Sequence, residues 1–348
     1  MTDATQDARQ AAEQTAAVAT ATSYRRSAQT WFAGHSEVYA DWASHVAATP
    51  ALAALIATLP PAKRQPNLVF AASRFAGCPD GDAATWAAFL QAHWSRVRDI
   101  VLTHRTQTNE AGRCATLLPA LGLIAADAGQ PLALIEAGPS AGLCLLPDLY
   151  AYEYYPGTGT GKGTGNDGVT RLGAGTPLLR CAVTGAPPLP AAPPRVASRA
   201  GVDLNPLDGT DPRTIRWLEA LVWPGQDDRL ATLRSALGTL AALGQDRPRL
   251  VTGDLNKRIA GLVAAVPAGQ TPVVFHTAVL AYLSPGERAR FAATVRSLGC
   301  RWLSNENFLL DDDGATVASE HGDRFTLALD GVPLAYTGQH GATLEWIG

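Results

Sequence analysis

At 348 residues, with 47% hydrophobic and 17% charged side chains and a formal net charge of −3, the chain has the composition of a globular protein with one large domain or two modest ones. Nothing in that charge balance marks a nucleic-acid surface, and no apolar run approaches the ~20 residues needed to span a bilayer. The opening MTDATQDARQ has neither the basic nor the apolar stretch of a secretory signal, so a soluble cytoplasmic protein with no nucleic-acid or membrane partner is expected.

In chain order, residues 1–23 are Ala, Thr, Gln and Asp with weak patterning, which suits a flexible tail or a helix that needs a partner. From residue 24 to about 125 the spacing is helical. Trp31, Phe32, Val38, Tyr39, Trp42 and Val46 recur at three- and four-residue intervals, and Pro60-Pro61 punctuates the run, so this third reads as a helical cap. The character changes at Pro131. Residues 126–348 read as an α/β domain with buried parallel strands at Pro131–Gly138, Arg199–Asp203, Arg249–Asp254, Thr271–Phe275 and Cys300–Leu303. Two insertions interrupt it: the Gly/Thr-rich loop 156–175 and a helical segment 211–243. Ser284-Pro285-Gly286-Glu287 opens a helix with a capping box, and the dipeptide Asp330-Gly331 joins a closing antiparallel hairpin.

Four motifs carry chemistry. In Glu136-Ala137-Gly138-Pro139-Ser140-Ala141-Gly142 an acid ends a strand, glycines allow a tight turn beside a ligand, and the next helix offers free N–H groups. The ExGxxxG spacing fits the nucleotide loop of class I S-adenosylmethionine-dependent methyltransferases better than a dinucleotide fingerprint. An ordinary strand–turn–helix junction is the alternative. In Gly201-Val202-Asp203-Leu204-Asn205, Asp203 has two acceptor oxygens suited to a ribose diol, or it caps a turn. In Thr252-Gly253-Asp254-Leu255, Asp254 can accept from an adenine amino group, or it caps a helix. In Phe275-His276-Thr277-Ala278-Val279-Leu280-Ala281-Tyr282, the tip of an apolar strand falls where the reacting centre would lie. Their order places all four at the carboxyl ends of the strands of an open sheet, where such sheets bind ligands.

The chain also resembles a known family. The stretches Gln65-Pro66-Asn67-Leu68, RTQTNEAGR (105–113), EAGPSAGLCLL (136–146), VDLNPLD (202–208), WLEALVWP (217–224), VFHTAVLAYL (274–283) and RWLSNE (301–306) are similar to the actinobacterial domain-of-unknown-function family 2332 (DUF2332) over about residues 30–347. The resemblance implies a class I methyltransferase-like (Rossmann-like) fold, with a seven-stranded, mostly parallel sheet, a C-terminal antiparallel hairpin and an N-terminal helical cap.

The polar run 105–113 is unusual for a core helix. It either lines the cofactor pocket, with Arg105 or Arg113 holding a carboxylate and Asn109 beside them, or begins a solvated helix. The candidate cofactor residues are therefore Glu136, Gly138, Ser140, Gly142, Asp203, Leu204, Asn205, Asp254, Leu255, Arg105, Asn109 and Arg113. His276, Tyr282 and Glu110 are the candidate bases, with His276 alternatively a structural histidine. His35, Tyr39 and Trp223 either roof the acceptor pocket or pack the cap on the core. Cys78, Cys114, Cys144, Cys181 and Cys300 form no CxxC pair, so neither a metal site nor a disulfide framework is expected. Residues 157–163 lack the GxxxxGK[ST] pattern of a phosphate loop. The expected activity is methyl transfer from S-adenosyl-L-methionine to a small-molecule acceptor by a monomer or homodimer. The alternatives are a cyclase releasing methylthioadenosine from the same cofactor and a non-catalytic adenosyl-nucleotide-binding protein.

Overall fold

A computed structural model describes residues 3–107, 109–157, 168–310, 315–318 and 324–348. The chain divides into two units: residues 1–108 with 212–231, and residues 109–211 with 232–348. The expected boundary at 125/126 therefore lies about a helix too late, because the helix beginning at Arg113 belongs with the sheet.

The first unit is helical, with α1 (Asp3–Ser27), α2 (Glu37–Ala48), α3 (Pro50–Ala57), α4 (Pro66–Phe75), α5 (Ala83–Ala92) and α6 (Trp94–Thr103). The next helix in the chain, α7 (Arg113–Ala128), lies in the second unit, and α8 (Pro212–Leu221) returns to the first. Residues 3–23 are helical rather than a loose tail. Ala-rich sequence favours helix, and α1 packs on α2 and α3 through the buried Thr20 and Tyr24. Local chemistry sets the ends. Ser36 accepts from Tyr39 N at 3.4 Å, Asp82 accepts from Thr85 N at 2.7 Å, and prolines open α3 and α4. The core is aromatic: Trp42 stacks on Trp86 with ring centroids 5.2 Å apart, and Phe70 meets both edge-on.

The second unit is a mixed α/β layer structure built on one large, mostly parallel sheet. In chain order its strands are β1 (Leu132–Ala137), β2 (Ala151–Pro156), β3 (Thr170–Leu172), β4 (Leu178–Thr184), β5 (Val196–Asp203), β6 (Arg249–Thr252), β7 (Thr271–Thr277), β8 (Arg301–Glu306), β9 (Phe308–Leu310), β10 (Thr316–Ala318), β11 (Phe325–Leu329), β12 (Val332–Thr337) and β13 (Thr343–Trp346). The order across the sheet is β3-β2-β4-β13-β12-β11-β8-β7-β1-β5-β6, and β9 and β10 form a separate pair. Among the described residues the large sheet thus has eleven strands, not seven. Part of the supposed flexible loop is strand β3, which runs antiparallel to β2, while residues 158–167 of that loop lie outside the described residues.

The five strands β6, β5, β1, β7 and β8 run parallel, as their apolar runs require when both faces are covered. β11 and β12 then form the antiparallel hairpin at Asp330-Gly331. Helices α10 (Leu255–Ala264) and α11 (Pro285–Ser297), which follow α9 (Asp227–Ala242) in the chain, cover one face. There Ile135, Val274, Ile259, Phe291 and Trp302 share a core. Period-2 alternation turns Leu132, Leu134 and Glu136 to the opposite face, where α7 packs on β4, β7 and β11. Within the parallel block, β5 lies to one side of β1 and β7 to the other, so the chain reverses its direction of travel across the sheet at the carboxyl end of β1.

Candidate functional site

The turn after β1 is built by backbone conformation and then held from three sides. Gly138 (φ +74°) stands in the left-handed region, and a Cβ there would collide with the Val279 side chain. Ser140 (φ +53°) is held in the same region without being glycine, and Ala278 (φ +56°) repeats this at the end of the adjacent β7. Asp203, at the end of β5, accepts from Ser140 N (Oδ2, 3.0 Å) and Asn205 N (Oδ1, 2.8 Å). Asn109 donates to Pro139 O at 2.9 Å and accepts from Leu143 N at 3.2 Å. Ser140 and Asn205 thus take part through their backbones, and Asn109 and Asp203 brace the turn. Beyond Gly142 (φ +80°) the chain makes two short 3₁₀ turns, Leu143–Leu145 and Pro147–Leu149, and not the expected α-helix. Pro147 disfavours helical geometry at the residue before it, and Leu143, Leu145 and Leu146 are buried in the sheet unit.

Under that turn sits Glu136, 3% exposed, with its Oε2 buried and unpaired. Burial pushes its carboxyl above the ordinary range; neighbouring Cys144 adds to the rise, Arg113 opposes it and Asp203 adds again. Arg113 is anchored: Nε donates to Gln339 O (2.8 Å), Nη1 donates to Thr277 O (3.1 Å) and Thr277 Oγ1 (3.2 Å), and the guanidinium covers the Phe325 ring. It clamps the ends of β7 and β12 to α7, a structural duty the expected carboxylate ligand did not include. Asp254 is the N-cap of α10, accepting from Asn256 N at 2.9 Å, so the helix-cap alternative accounts for it. Leu255 packs against the sheet core. Leu204 is 64% exposed at the end of β5.

Of the candidate bases, His276 is ruled out by its partners. It is fully buried; Trp302 Nε1–H donates to its Nε2 (3.1 Å), so its proton resides on Nδ1 and points at Glu306 Oε1, 2.8 Å away. Neither nitrogen can take a proton from a ligand, and the structural alternative holds. The same Glu306 oxygen accepts from Val279 N (2.8 Å) and Leu280 N (3.0 Å), fixing the segment that crowds Gly138. Tyr282 lies on the following 3₁₀ turn, 77% exposed. Glu110 is buried on the segment that leads into α7, and Cys144 Sγ donates to its carbonyl at 3.3 Å.

Four candidates fall in the helical unit. Tyr39 and Trp223 belong to its aromatic packing, with Phe32 between them, and His35 is exposed on a turn, its carbonyl 3.5 Å from Gln226 Nε2. The Arg105 side chain is exposed, and its carbonyl accepts from Trp217 Nε1 at 3.2 Å. Packing explains Tyr39 and Trp223 without a pocket. Thr108 lies outside the described residues.

Sequence reading missed His340. It stands in Gly338-Gln339-His340-Gly341 between β12 and β13, with Nδ1 3.2 Å from Glu110 Oε2. The only signal was a lone histidine bracketed by glycines, and its partner is 230 residues away in the chain.

A family model described as "Uncharacterized protein conserved in bacteria (DUF2332)" matches residues 21–346. No curated protein and no solved structure matches the chain.

Proposed function

The chain belongs to the DUF2332 family of bacterial proteins, and on that footing we propose that it binds S-adenosyl-L-methionine at the carboxyl ends of β1 and β5 and transfers its methyl group to a small molecule. One observation carries the reading: Glu136 presents a buried acceptor oxygen with no partner, directly beneath a left-handed glycine turn, where the parallel strands change direction. A buried, unpaired carboxyl oxygen is costly unless a ligand's donor completes it. A crevice at such a reversal is where open α/β sheets hold nucleotides. Support also comes from the seven-strand run β6-β5-β1-β7-β8-β11-β12 inside the larger sheet, five parallel strands followed by a hairpin, which suits a Rossmann-like methyltransferase core.

The residues that would hold the cofactor are Glu136 for an ammonium group, the Asp203 carboxylate at the end of β5 for a ribose diol, and the exposed Leu204 for a purine face. When bound, the cofactor supplies an electrophilic methyl carbon on a sulfonium. The protein's part is to position an acceptor and to remove its proton. Because Glu136 is held toward its protonated form, accepting from an ammonium releases a proton. Calorimetric titration with S-adenosylhomocysteine in buffers of different ionisation enthalpy tests this. The expected result is one site, a buffer-dependent heat, and about tenfold or greater weakening in Glu136→Gln. Wild-type protein that takes up no adenosyl ligand would falsify the assignment. Product analysis then separates transfer, which leaves S-adenosylhomocysteine, from ring closure, which leaves methylthioadenosine.

A further inference from the structure

His340 and Glu110 form a pair that none of the roles above requires. Glu110 is 8% exposed on its side chain and His340 39%. The histidine's Nδ1 is buried, so the ring's exposure is carried by its other atoms. Nδ1 lies 3.2 Å from Glu110 Oε2, an ion-pair distance, although its direction leaves no formed hydrogen bond on Nδ1. Catalytic pairs are often loosely aligned in this way before a ligand is present.

The pair is held stiffly. A Cβ on Gly112 would come 2.5 Å from His340 O, and one on Gly341 would strike Gly112 O, so two glycine backbones touch where α7 begins. Arg113 Nε ties down Gln339 O, and Gly341 N donates to Gly338 O at 3.0 Å. The backbone of Glu110 runs beside the turn that follows β1. Asn109, the residue before Glu110, bonds to both Pro139 and Leu143, and Cys144 Sγ bonds to Glu110 O. Among the described residues of this unit the other histidine is His276, whose nitrogens are both engaged.

We propose that His340, oriented by Glu110, is the proton acceptor of this site, and that the methyl acceptor is a small molecule with a dissociable proton on oxygen, nitrogen or sulfur. This rests on the cofactor reading above. In the step, the acceptor's proton passes to the imidazole Nε2. A lone pair of the deprotonated atom forms the bond to the methyl carbon, and the carbon–sulfur bonding pair stays on sulfur, giving a neutral thioether. Charge balances, because the sulfonium's positive charge is lost as the imidazolium's appears. Glu110 acts as a positioning residue, selecting the Nδ1–H tautomer so that Nε2 keeps its lone pair.

The test combines three measurements on the full chain. Nitrogen-15 spectra of the imidazoles across pH should show neutral His340 as the Nδ1–H tautomer, with that preference lost in Glu110→Gln; an Nε2–H tautomer in the wild type overturns the proposal, and no variant has to fold for that outcome. Transfer from S-adenosyl-L-methionine to a panel of small phenols, thiols and amines should fall about 100-fold in His340→Gln. An unchanged rate overturns the proposal, as does a wild type silent across the whole panel. Calorimetry with S-adenosylhomocysteine should give similar affinity for wild type and His340→Gln. If the wild type binds none, the cofactor reading has failed, and this is distinguishable from a failure at His340 because the tautomer is read without ligand.

Discussion

At the scale of single residues, Glu136 is the group whose protonation couples to folding. Its carboxyl is raised in the folded protein by burial, so the native state binds more protons than the unfolded chain. The slope of unfolding free energy with pH follows protons bound in the unfolded state minus those in the native, which is negative here. Stability from this group is therefore full below the unfolded carboxyl value, about 4.3, and is lost as pH rises toward the folded value. Glu136→Gln should flatten the fall in melting temperature as pH rises above ~5, as followed by scanning calorimetry. An unchanged slope would mean Glu136 is ionised in the native state. The strand end at Glu136 and the tight turn at Gly138 were legible in sequence, since an apolar run closed by an acid and a glycine marks both. The duties of Arg113 and Asp254 were not legible. Both side chains bond chiefly to backbone atoms, and a sequence does not reveal which carbonyl or N–H will lie within reach.

At the scale of elements, the connection from β7 to α11 depends on one carboxylate. Glu306, on β8, collects His276 Nδ1–H and the N–H groups of Val279 and Leu280 on a single oxygen. Glu306→Ala strips two buried donors and a part-buried one of their acceptor and should cost roughly 3 kcal/mol, while Glu306→Gln, which keeps an acceptor oxygen, should cost less. Chemical denaturation measures both. Equal losses would show that charge, not the acceptor, matters. The parallel strands and the hairpin were readable because apolar runs ending at acids or glycines have a short physical repertoire. β2, β3 and β4 were not: β3 falls in the Gly/Thr-rich stretch, and the alternating Tyr152-Glu153-Tyr154 of β2 needs its neighbours to be recognised as strand.

At the scale of the whole molecule, the extension of the sheet beyond the parallel block depends on β13. It pairs antiparallel with β12 and parallel with β4, so it joins β3-β2-β4 to the rest. Leu344, fully buried at the middle of that strand, is opposite Thr337 on one side and Val183 on the other. Leu344→Pro should destabilise by about 3 kcal/mol. Hydrogen exchange should speed up first in β2 and β4 and last in β5 and β6; uniform loss across the sheet would contradict a seam at β13. No helix among the described residues is long and apolar enough to cross a membrane.

The place of β13 also bears on how the protein is made. Strands β2 to β4 leave the ribosome some 160 residues before the strand that docks them. During that interval the β4 edge is an unsatisfied ladder, open to wrong pairing with another nascent chain. Synthesis rate and chaperone supply should therefore govern the yield of native protein more than equilibrium stability does.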